Sequence, residues 1–243
     1  MKPIKIGILG GIGPEATGLF YLKLIKRLQD FGLIGNNQDF PQIIINSIPA
    51  PELIFDKVEN TELEMYERGL QELDNMNPDF MAMVCNTIHL YHQYLQSKIA
   101  TELIDLRQEV NTEIKNLNIN KVTILATVST ISGGLYKFEG INYLNPDNNE
   151  IKEMSDAIFN FNKGIDKKIQ KEKVEIIAQK YLSQGSQVVL LGCTEFAVML
   201  EDTPIPKLNT IDVLVDYVIR RYKKFLEDTN ACREKVYKLP SQP

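Results

Sequence analysis

Two stretches, FMAMVCNT at residues 80–87 and VVLLGCTE at residues 188–195, decide the fold class of this 243-residue sequence. Each contains an apolar run that leads into a cysteine, and a small polar residue follows the cysteine. Such a run is typical of a strand buried on both faces of a parallel sheet. A helical pattern and a turn precede both runs, and the cysteines lie 193 − 85 = 108 residues apart, nearly half the chain. This repeated pattern predicts two similar lobes that present Cys85 and Cys193 to one cleft.

The same alternation of apolar runs and amphipathic stretches continues along the chain. We predict strands at 4–9, 42–48, 80–84, 102–105, 122–126 and 188–191, and helices at 14–29, 60–75, 106–116, 150–168, 174–184 and 211–227. This order predicts the α/β class, with two pseudo-symmetric lobes that are each a doubly wound, mostly parallel sheet flanked by helices. We expect a first lobe at 1–99, to which 209–228 return, a second lobe at 100–208, and a C-terminal tail at 229–243.

Composition narrows the functional class. Apolar residues make up 44% of the chain, and 27 basic against 32 acidic side chains give a net charge of −5. Because no block of Lys and Arg is present, nothing supports a nucleic-acid surface. No apolar run approaches the roughly 20 residues that span a bilayer, and the N-terminus lacks a signal-peptide pattern. We therefore expect a cytoplasmic protein with a small-molecule partner and no nucleic-acid or membrane partner.

The three cysteines are too widely spaced, and odd in number, for a disulfide framework. Cys85 and Cys193 each follow a strand at the sheet edge where α/β proteins bind ligands. A helix N-terminus at that edge supplies free N–H groups and a positive dipole end, so we expect a lowered thiol pKa and a favoured thiolate. Cys232 falls in the tail and is interpreted as an incidental exposed thiol.

Two thiols on opposite sides of one cleft suit the inversion of a carbon centre. One thiolate removes a proton from one face while the other thiol delivers a proton to the opposite face, so the two titrate as a pair. This reaction needs no pyridoxal phosphate if the site stabilises the carbanion, and we expect neither a cofactor nor a metal. The alternative interpretation makes each cysteine a small buried hydrophobe without a chemical role.

The histidines and glutamates leave other chemistries open. His89 lies one helical turn beyond Cys85, so a cysteine–histidine hydrolase or transferase is conceivable. A zinc site built on the same residues would lack paired-cysteine spacing and a clear further ligand. Glu15 and Glu195 follow predicted strand ends and are interpreted as helix caps, with a catalytic role as the alternative.

The first strand-to-helix turn, GGIGPEAT at 10–17, formally fits a dinucleotide fingerprint. However, Pro14 removes one N–H group from the start of the helix, and residues 46–49 at the end of the second strand lack the acidic residue that would hold a ribose. We therefore interpret 10–13 as a tight turn that borders the cleft.

Three motifs in register resemble the aspartate/glutamate racemase family: GGIGPEAT at 10–17, CNTIH at 85–89 and GCTE at 192–195. A middle segment, LATVST at 125–130, is similar as well, and the resemblance runs in order from about residue 4 to residue 227. The family implies two pseudo-symmetric α/β lobes, pyridoxal-independent racemisation and usually a homodimer. By this resemblance Cys85 and Cys193 are the catalytic pair. The substrate-binding residues that it implies are Gly11, Ile12, Asn86, Thr87, Thr127, Thr130, Lys163 and Thr194.

The sequence departs from the family pattern where the substrate is selected. Racemases of this family that act on acidic substrates often carry an arginine shortly after the second strand, where this chain has Leu53. Lys163 matches a second family cation, although it also fits a solvated helix face. Aspartate and glutamate are the expected substrates. The alternatives are a cysteine-dependent isomerase or decarboxylase of the same fold, and a non-catalytic protein that binds a small carboxylate.

Overall fold

A computed structural model describes residues 3–51 and 60–237, with only the backbone course at 60–62 and 229–237. The described residues form two parallel sheets, which confirms the predicted α/β class. The first sheet has the order β2-β1-β3, from β1 (Lys5–Gly10), β2 (Gln42–Ser47) and β3 (Phe80–Met83). The second has the order β5-β4-β6-β7, from β4 (Lys121–Leu125), β5 (Asn142–Tyr143), β6 (Val188–Leu191) and β7 (Lys207–Asn209).

Helices connect these strands on both faces of the sheets. They are α1 (Pro14–Asp30), α2 (Asn60–Asp74), α3 (His92–Gln96), α4 (Leu106–Asn116), α5 (Val128–Ser132), α6 (Asn148–Asn162), α7 (Lys167–Ser183), α8 (Thr194–Met199) and α9 (Thr210–Tyr237). Two 3-10 helices, Asn37–Asp39 and Thr87–Tyr91, lie in the first half of the chain. None of the described helices combines the length and the apolar character that crossing a membrane requires.

Strand β1 explains why the first sheet is covered on both sides. Its residues Ile6 and Ile8 belong to the same buried cluster as Phe20 of α1. Its next residue, Leu9, belongs instead to the cluster that contains Leu70 of α2. Since successive residues of a strand point to opposite faces, α1 and α2 cover opposite faces of the sheet.

The last helix, α9, packs against α1 and α4. Lys23 of α1 contacts Asp212 at 2.8 Å, and the ring of Phe225 stacks on Phe80 of β3 with centroids 5.7 Å apart. The chain just beyond residue 100 remains attached to the first sheet, because Ile104 N donates to Met81 O at 2.8 Å. The lobe boundaries given above stay a prediction, and these contacts are the ones that bear on them.

The structure corrects several predicted element boundaries. The strand expected at 102–105 is a single bridge between Leu103 and Met81. The helix expected at 150–168 divides into α6 and α7, since Gly164 and Asp166 adopt left-handed φ values of 74° and 44° that no helix accommodates. Helix α9 continues past residue 227 to Tyr237 because neither Gly nor Pro interrupts that stretch. Strands β5 and β7 were not predicted, being only two and three residues long.

Candidate active site

The turn after β1 requires glycine at two positions. Gly11 and Gly13 have φ values of 84° and 85°, in the left-handed region that favours glycine. A Cβ atom on Gly11 would lie 2.3 Å from the Ile48 carbonyl oxygen, and one on Gly13 would lie 2.6 Å from Glu195 Oε1. The turn therefore lets a carboxylate from the second half of the chain approach the backbone of the first half.

A cavity of about 270 Å³ opens where the strands of both sheets end. Both halves of the chain line it, and its described lining residues are Gly11, Ile12, Gly13, Pro14, Ala50, Pro51, Cys85, Asn86, Thr87, Thr127, Ile158, Asn162, Cys193, Thr194 and Glu195. Cys85 is 7% exposed and Cys193 is 6% exposed, and both are free thiols. The two cysteines that the sequence singled out thus share one cavity.

Most of the substrate-binding residues implied by the resemblance surround this cavity, and two do not line it. Thr130 lies behind the lining residues, where it contacts Thr87. Lys163 ends α6 with its ammonium 3.7 Å from the centre of the Phe159 ring. Leu53 and the side chain of Cys232 lie outside the described residues, so the structure does not report on either.

Three threonine hydroxyls join the two halves at the cavity wall; we call Thr87, Thr127 and Thr130 the threonine cluster. Thr87 Oγ1 lies 2.9 Å from Thr130 Oγ1 and 3.2 Å from Thr127 Oγ1. Thr127 also caps α5, since its Oγ1 accepts from Thr130 N at 3.2 Å. The cluster holds the segment after Cys85 against the segment after β4.

The environment of Cys85 is made of backbone groups. Burial raises the pKa of its thiol to about 12, hydrogen bonds of the Ile88 and Thr87 backbone lower it, and the charge of Glu195 raises it. The expected lowering of the thiol pKa by a helix N-terminus is therefore wrong for Cys85. The helix that follows is a 3-10 helix of only five residues, and its N–H groups do not outweigh desolvation.

Cys193 has a carboxylate partner. Its Sγ donates to Glu195 Oε2 at 2.8 Å, and Glu195 also accepts from Thr194 Oγ1 at 3.2 Å. Burial raises the pKa of the Cys193 thiol well above its ordinary range, and the charge and hydrogen bond of Glu195 raise it further. The expected thiolate is wrong here too, because a carboxylate that accepts the S–H stabilises the neutral thiol.

His89 does not act on the thiol of Cys85 in this arrangement. It is fully buried, does not line the cavity, and its Nδ1 lies 2.7 Å from the Cys85 carbonyl oxygen. Burial lowers its pKa to about 4, so the ring is neutral and donates from Nδ1 at neutral pH. Its ring stacks on His92 with centroids 6.2 Å apart. This geometry supports a structural role and gives no support to a cysteine–histidine nucleophile.

Sequence reasoning gave one residue of the site a catalytic role only as an alternative, and it missed another residue. Glu195 was interpreted as a cap, although it contacts a thiol; its position two residues after Cys193 was the available signal. Tyr136 was not singled out, and its hydroxyl donates to Asn86 Oδ1. No local pattern could identify Tyr136, because its partner is 50 residues away. Within the described residues, no group of three His, Cys, Asp or Glu side chains is placed to hold a metal ion.

Proteins named as amino-acid racemases resemble this chain in sequence and in fold. A sequence profile described as Asp/Glu/Hydantoin racemase matches residues 9–218. The broad specificity amino-acid racemase RacX of Bacillus subtilis (strain 168) is 24% identical over 227 residues, which cover 89% of this chain and 97% of that protein. The aspartate racemase of Picrophilus torridus has a TM-score of 0.74 and 22% identity, covering 90% of this chain and 94% of that one. An aspartate racemase homologue from Pyrococcus horikoshii OT3 has a TM-score of 0.69 and 25% identity, covering 92% of this chain and all of that one.

Proposed function

This chain belongs to the Asp/Glu/Hydantoin racemase family, and from that premise we propose that it is a cofactor-independent amino-acid racemase whose bases are Cys85 and Cys193. The observation that carries the proposal is that two buried thiols, from the ends of strands in separate sheets, line one cavity. Removal and delivery of a proton on opposite faces of one carbon require two such groups. A relative with 24% identity is named an amino-acid racemase, which agrees with this activity.

The proton balance begins with two neutral thiols, since both pKa values are raised. Glu195 takes the Cys193 proton along the hydrogen bond between them, and the resulting thiolate removes the α-proton of the substrate. The bonding electron pair stays on the α-carbon, which then takes the proton of the Cys85 thiol on its other face. Reaction in the opposite direction exchanges the two thiol roles. The proton on Glu195 returns to Cys85 through solvent, so the enzyme is regenerated.

Uncharged donors can hold the carboxylate of the substrate. Asn86, Thr87, Thr127 and Thr194 line the cavity with amide and hydroxyl groups. Donors that strengthen their hydrogen bonds as the α-carbon loses its proton stabilise the carbanion-like transition state. Gly11 and Ile12 line the same cavity.

The described lining favours an uncharged substrate side chain over the expected aspartate or glutamate. Among the described residues that line the cavity, Glu195 alone carries a formal charge, and it is negative. Ile12, Pro51 and Ile158 contribute apolar wall. A distal carboxylate in this space would be repelled by Glu195 and would find apolar neighbours. We therefore propose small uncharged amino acids as the preferred substrates.

A panel of single-enantiomer amino acids in deuterated water tests both proposals. We expect interconversion of enantiomers, seen by chiral chromatography, with deuterium at the α-carbon of the product by NMR. Alanine, serine and methionine should give a higher kcat/KM than aspartate and glutamate. A preference for the acidic pair would overturn the substrate proposal while leaving the racemase proposal intact.

Replacement of each thiol tests the two-base mechanism. Cys85→Ser and Cys193→Ser should each lower kcat by about 10³-fold or more, because a hydroxyl is a far weaker acid than a thiol. Cys232→Ser is the control and should keep the wild-type rate. Substantial racemisation by Cys193→Ser would refute the mechanism.

Two alternatives predict different products. A decarboxylase would release carbon dioxide from the substrate instead of returning its enantiomer. A binding protein without catalysis would retain a bound amino acid without exchanging its α-hydrogen for deuterium.

The homodimer and the cytoplasmic location stay predictions from the sequence, and light scattering of the purified protein tests the homodimer.

A further inference from the structure

Of the two polar atoms in the side-chain amide of Asn86, one has a hydrogen-bond partner and the other has none among the described residues. The residue is 1% exposed, and its Oδ1 accepts a hydrogen bond from the hydroxyl of Tyr136. Its Nδ2 has no hydrogen-bond partner among the described residues. A buried N–H donor without a partner is unfavourable by the cost of its desolvation. Such a donor on a cavity wall indicates a site for an acceptor that the protein does not supply.

Tyr136 determines which end of the amide is open. Its hydroxyl is buried, and Asn86 Oδ1 is its hydrogen-bond acceptor. Rotation of the amide by 180° would place Nδ2 against the hydroxyl and leave the O–H without that acceptor. Asn86 lines the cavity whereas Tyr136 does not. The hydroxyl therefore fixes the oxygen and leaves the nitrogen as the unpaired end of an amide that belongs to the cavity wall.

The segment that carries Tyr136 is held in place by its own contacts. Tyr143 Oη donates to the Tyr136 carbonyl oxygen at 2.6 Å and accepts from Phe138 N at 2.8 Å. The ring of Phe138 meets the Tyr136 ring edge-on at 6.2 Å. Burial, and then the charge of Cys85, raise the pKa of Tyr136, so its hydroxyl stays protonated and remains a donor.

We propose that Tyr136 is a positioning residue, which holds the Asn86 amide with Nδ2 turned toward the substrate carboxylate. The inference rests on the proposed racemase function. It adds a residue from the second half of the chain that acts on the substrate only through a side chain of the first half. The substrate carboxylate then supplies the acceptor that no described residue provides for Nδ2.

Tyr136→Phe removes the hydroxyl and keeps the ring. We expect KM for the best substrate of the panel to rise about tenfold, the usual effect of losing one hydrogen bond, while kcat changes less than twofold. Tyr222→Phe is the control, because it removes a tyrosine hydroxyl that donates to the Asp39 carbonyl oxygen at 3.0 Å and belongs to a buried residue that does not line the cavity. Its KM should stay within twofold of wild type. Equal effects of the two variants would show that loss of any buried tyrosine hydroxyl disturbs the site and would overturn the proposal.

A double-mutant cycle checks that Tyr136 acts through Asn86. In an Asn86→Ala background, the added Tyr136→Phe change should leave KM unaltered, since there is no amide to hold. An additional tenfold rise would show that Tyr136 acts independently and would overturn the proposal. Asn86→Asp keeps an acceptor for Tyr136 but removes the N–H donor, so it should raise KM more than Tyr136→Phe does.

A readout without catalysis separates this inference from the racemase proposal. In ¹⁵N NMR of the unliganded protein, the Asn86 side-chain amide is assigned by its loss in Asn86→Ala. It should give one sharp pair of signals in wild type and in Tyr222→Phe, and it should shift or broaden in Tyr136→Phe. If the wild type fails to racemise any amino acid while this pattern holds, the proposed function is wrong and the positioning stands. An unchanged amide in Tyr136→Phe would overturn the positioning.

Discussion

The two cysteine turns are alike in backbone and different in electrostatics. Both follow a buried parallel strand, β3 or β6, and both precede a short helix. The Cys85 thiol is surrounded by backbone groups of Thr87 and Ile88, whereas the Cys193 thiol donates to the carboxylate of Glu195 at 2.8 Å. The comparison shows that pseudo-symmetric topology can bring two thiols to one cavity without making them chemically equivalent.

In the racemisation that we propose, this difference would give the two cysteines distinct tasks. The Cys193 thiol donates to the Glu195 carboxylate, which can take its proton directly. Cys193 can therefore become a base without a proton transfer to solvent. Cys85 has N–H groups that would stabilise its thiolate once its proton has been delivered. Each turn therefore favours one step of the inversion.

The largest expected effect concerns how slowly both thiols react with iodoacetamide. A pKa of about 12 instead of 9.0 leaves about 10³-fold less thiolate on Cys85 at pH 8 than on an ordinary thiol. Since a raised pKa delays thiolate formation to higher pH, the alkylation rate should still be rising at pH 10. Mass spectrometry of Cys232→Ser follows the two sites separately, with N-acetylcysteine as the reference thiol.

Two outcomes of that experiment would contradict the described difference between the two thiols. A rate plateau below pH 8 at either site would mean that the thiolate is already formed, as the helix N-termini alone would predict. Faster alkylation of Cys193 than of Cys85 would mean that the Glu195 carboxylate does not stabilise the neutral Cys193 thiol.

The next effect, about 10²-fold, concerns Glu195→Gln. Without a carboxylate to accept the thiol proton, kcat should fall by about this factor. Alkylation of Cys193 should become faster at the same time, because the negative charge that raises its pKa is gone. These opposite changes distinguish a lost proton acceptor from a damaged site.

Glu15→Gln provides the control for that substitution. Glu15 is also an acidic residue at the start of a helix, but its carboxylate pairs with Lys167 and is 52% exposed. Turnover and thiol reactivity should both match wild type. A parallel loss in the two variants would point to a general effect of net charge.

The smallest expected effect concerns the stability that the threonine cluster gives to the Cys85 turn. The Cys85 turn is held through the threonine cluster, so Thr87→Val removes two buried hydroxyl contacts. We expect the free energy of unfolding in urea to fall by about 1–2 kcal/mol. Thr112→Val, which removes an exposed hydroxyl contact within α4, should change it by less than about 0.5 kcal/mol. A loss no greater than that of the control would show that the cluster does not stabilise the junction.

The sequence predicts features that depend on local pattern. Continuous apolar runs identified β1, β2, β3, β4 and β6, and two of these strands, β3 and β6, lead into the cysteines. Strand β7 was missed because Leu208 is its only apolar residue. The break between α6 and α7 was missed because Gly164 lies within a sequence that otherwise keeps a helical pattern.

The electrostatics of the site depends on features that local pattern does not contain. A strand end before a helix suggests a stabilised thiolate, but burial by both halves of the chain reverses the direction for Cys85 and Cys193. The contact between Tyr136 and Asn86 exists only once the two sheets are placed together. Sequence reasoning therefore predicted that the two thiols share one cavity and misjudged their resting protonation.

The close approach of Gly13 and Glu195 has a consequence for recombining this protein with its homologues. A Cβ atom at residue 13 would lie 2.6 Å from Glu195 Oε1, so a side chain there would displace the carboxylate that accepts the Cys193 S–H, although 182 residues separate the two positions (195 − 13). Tyr136 and Asn86 form a second such pair, joined by a hydrogen bond. Chimeras that exchange one half should succeed or fail by the match at these pairs, whatever the overall identity of the parents.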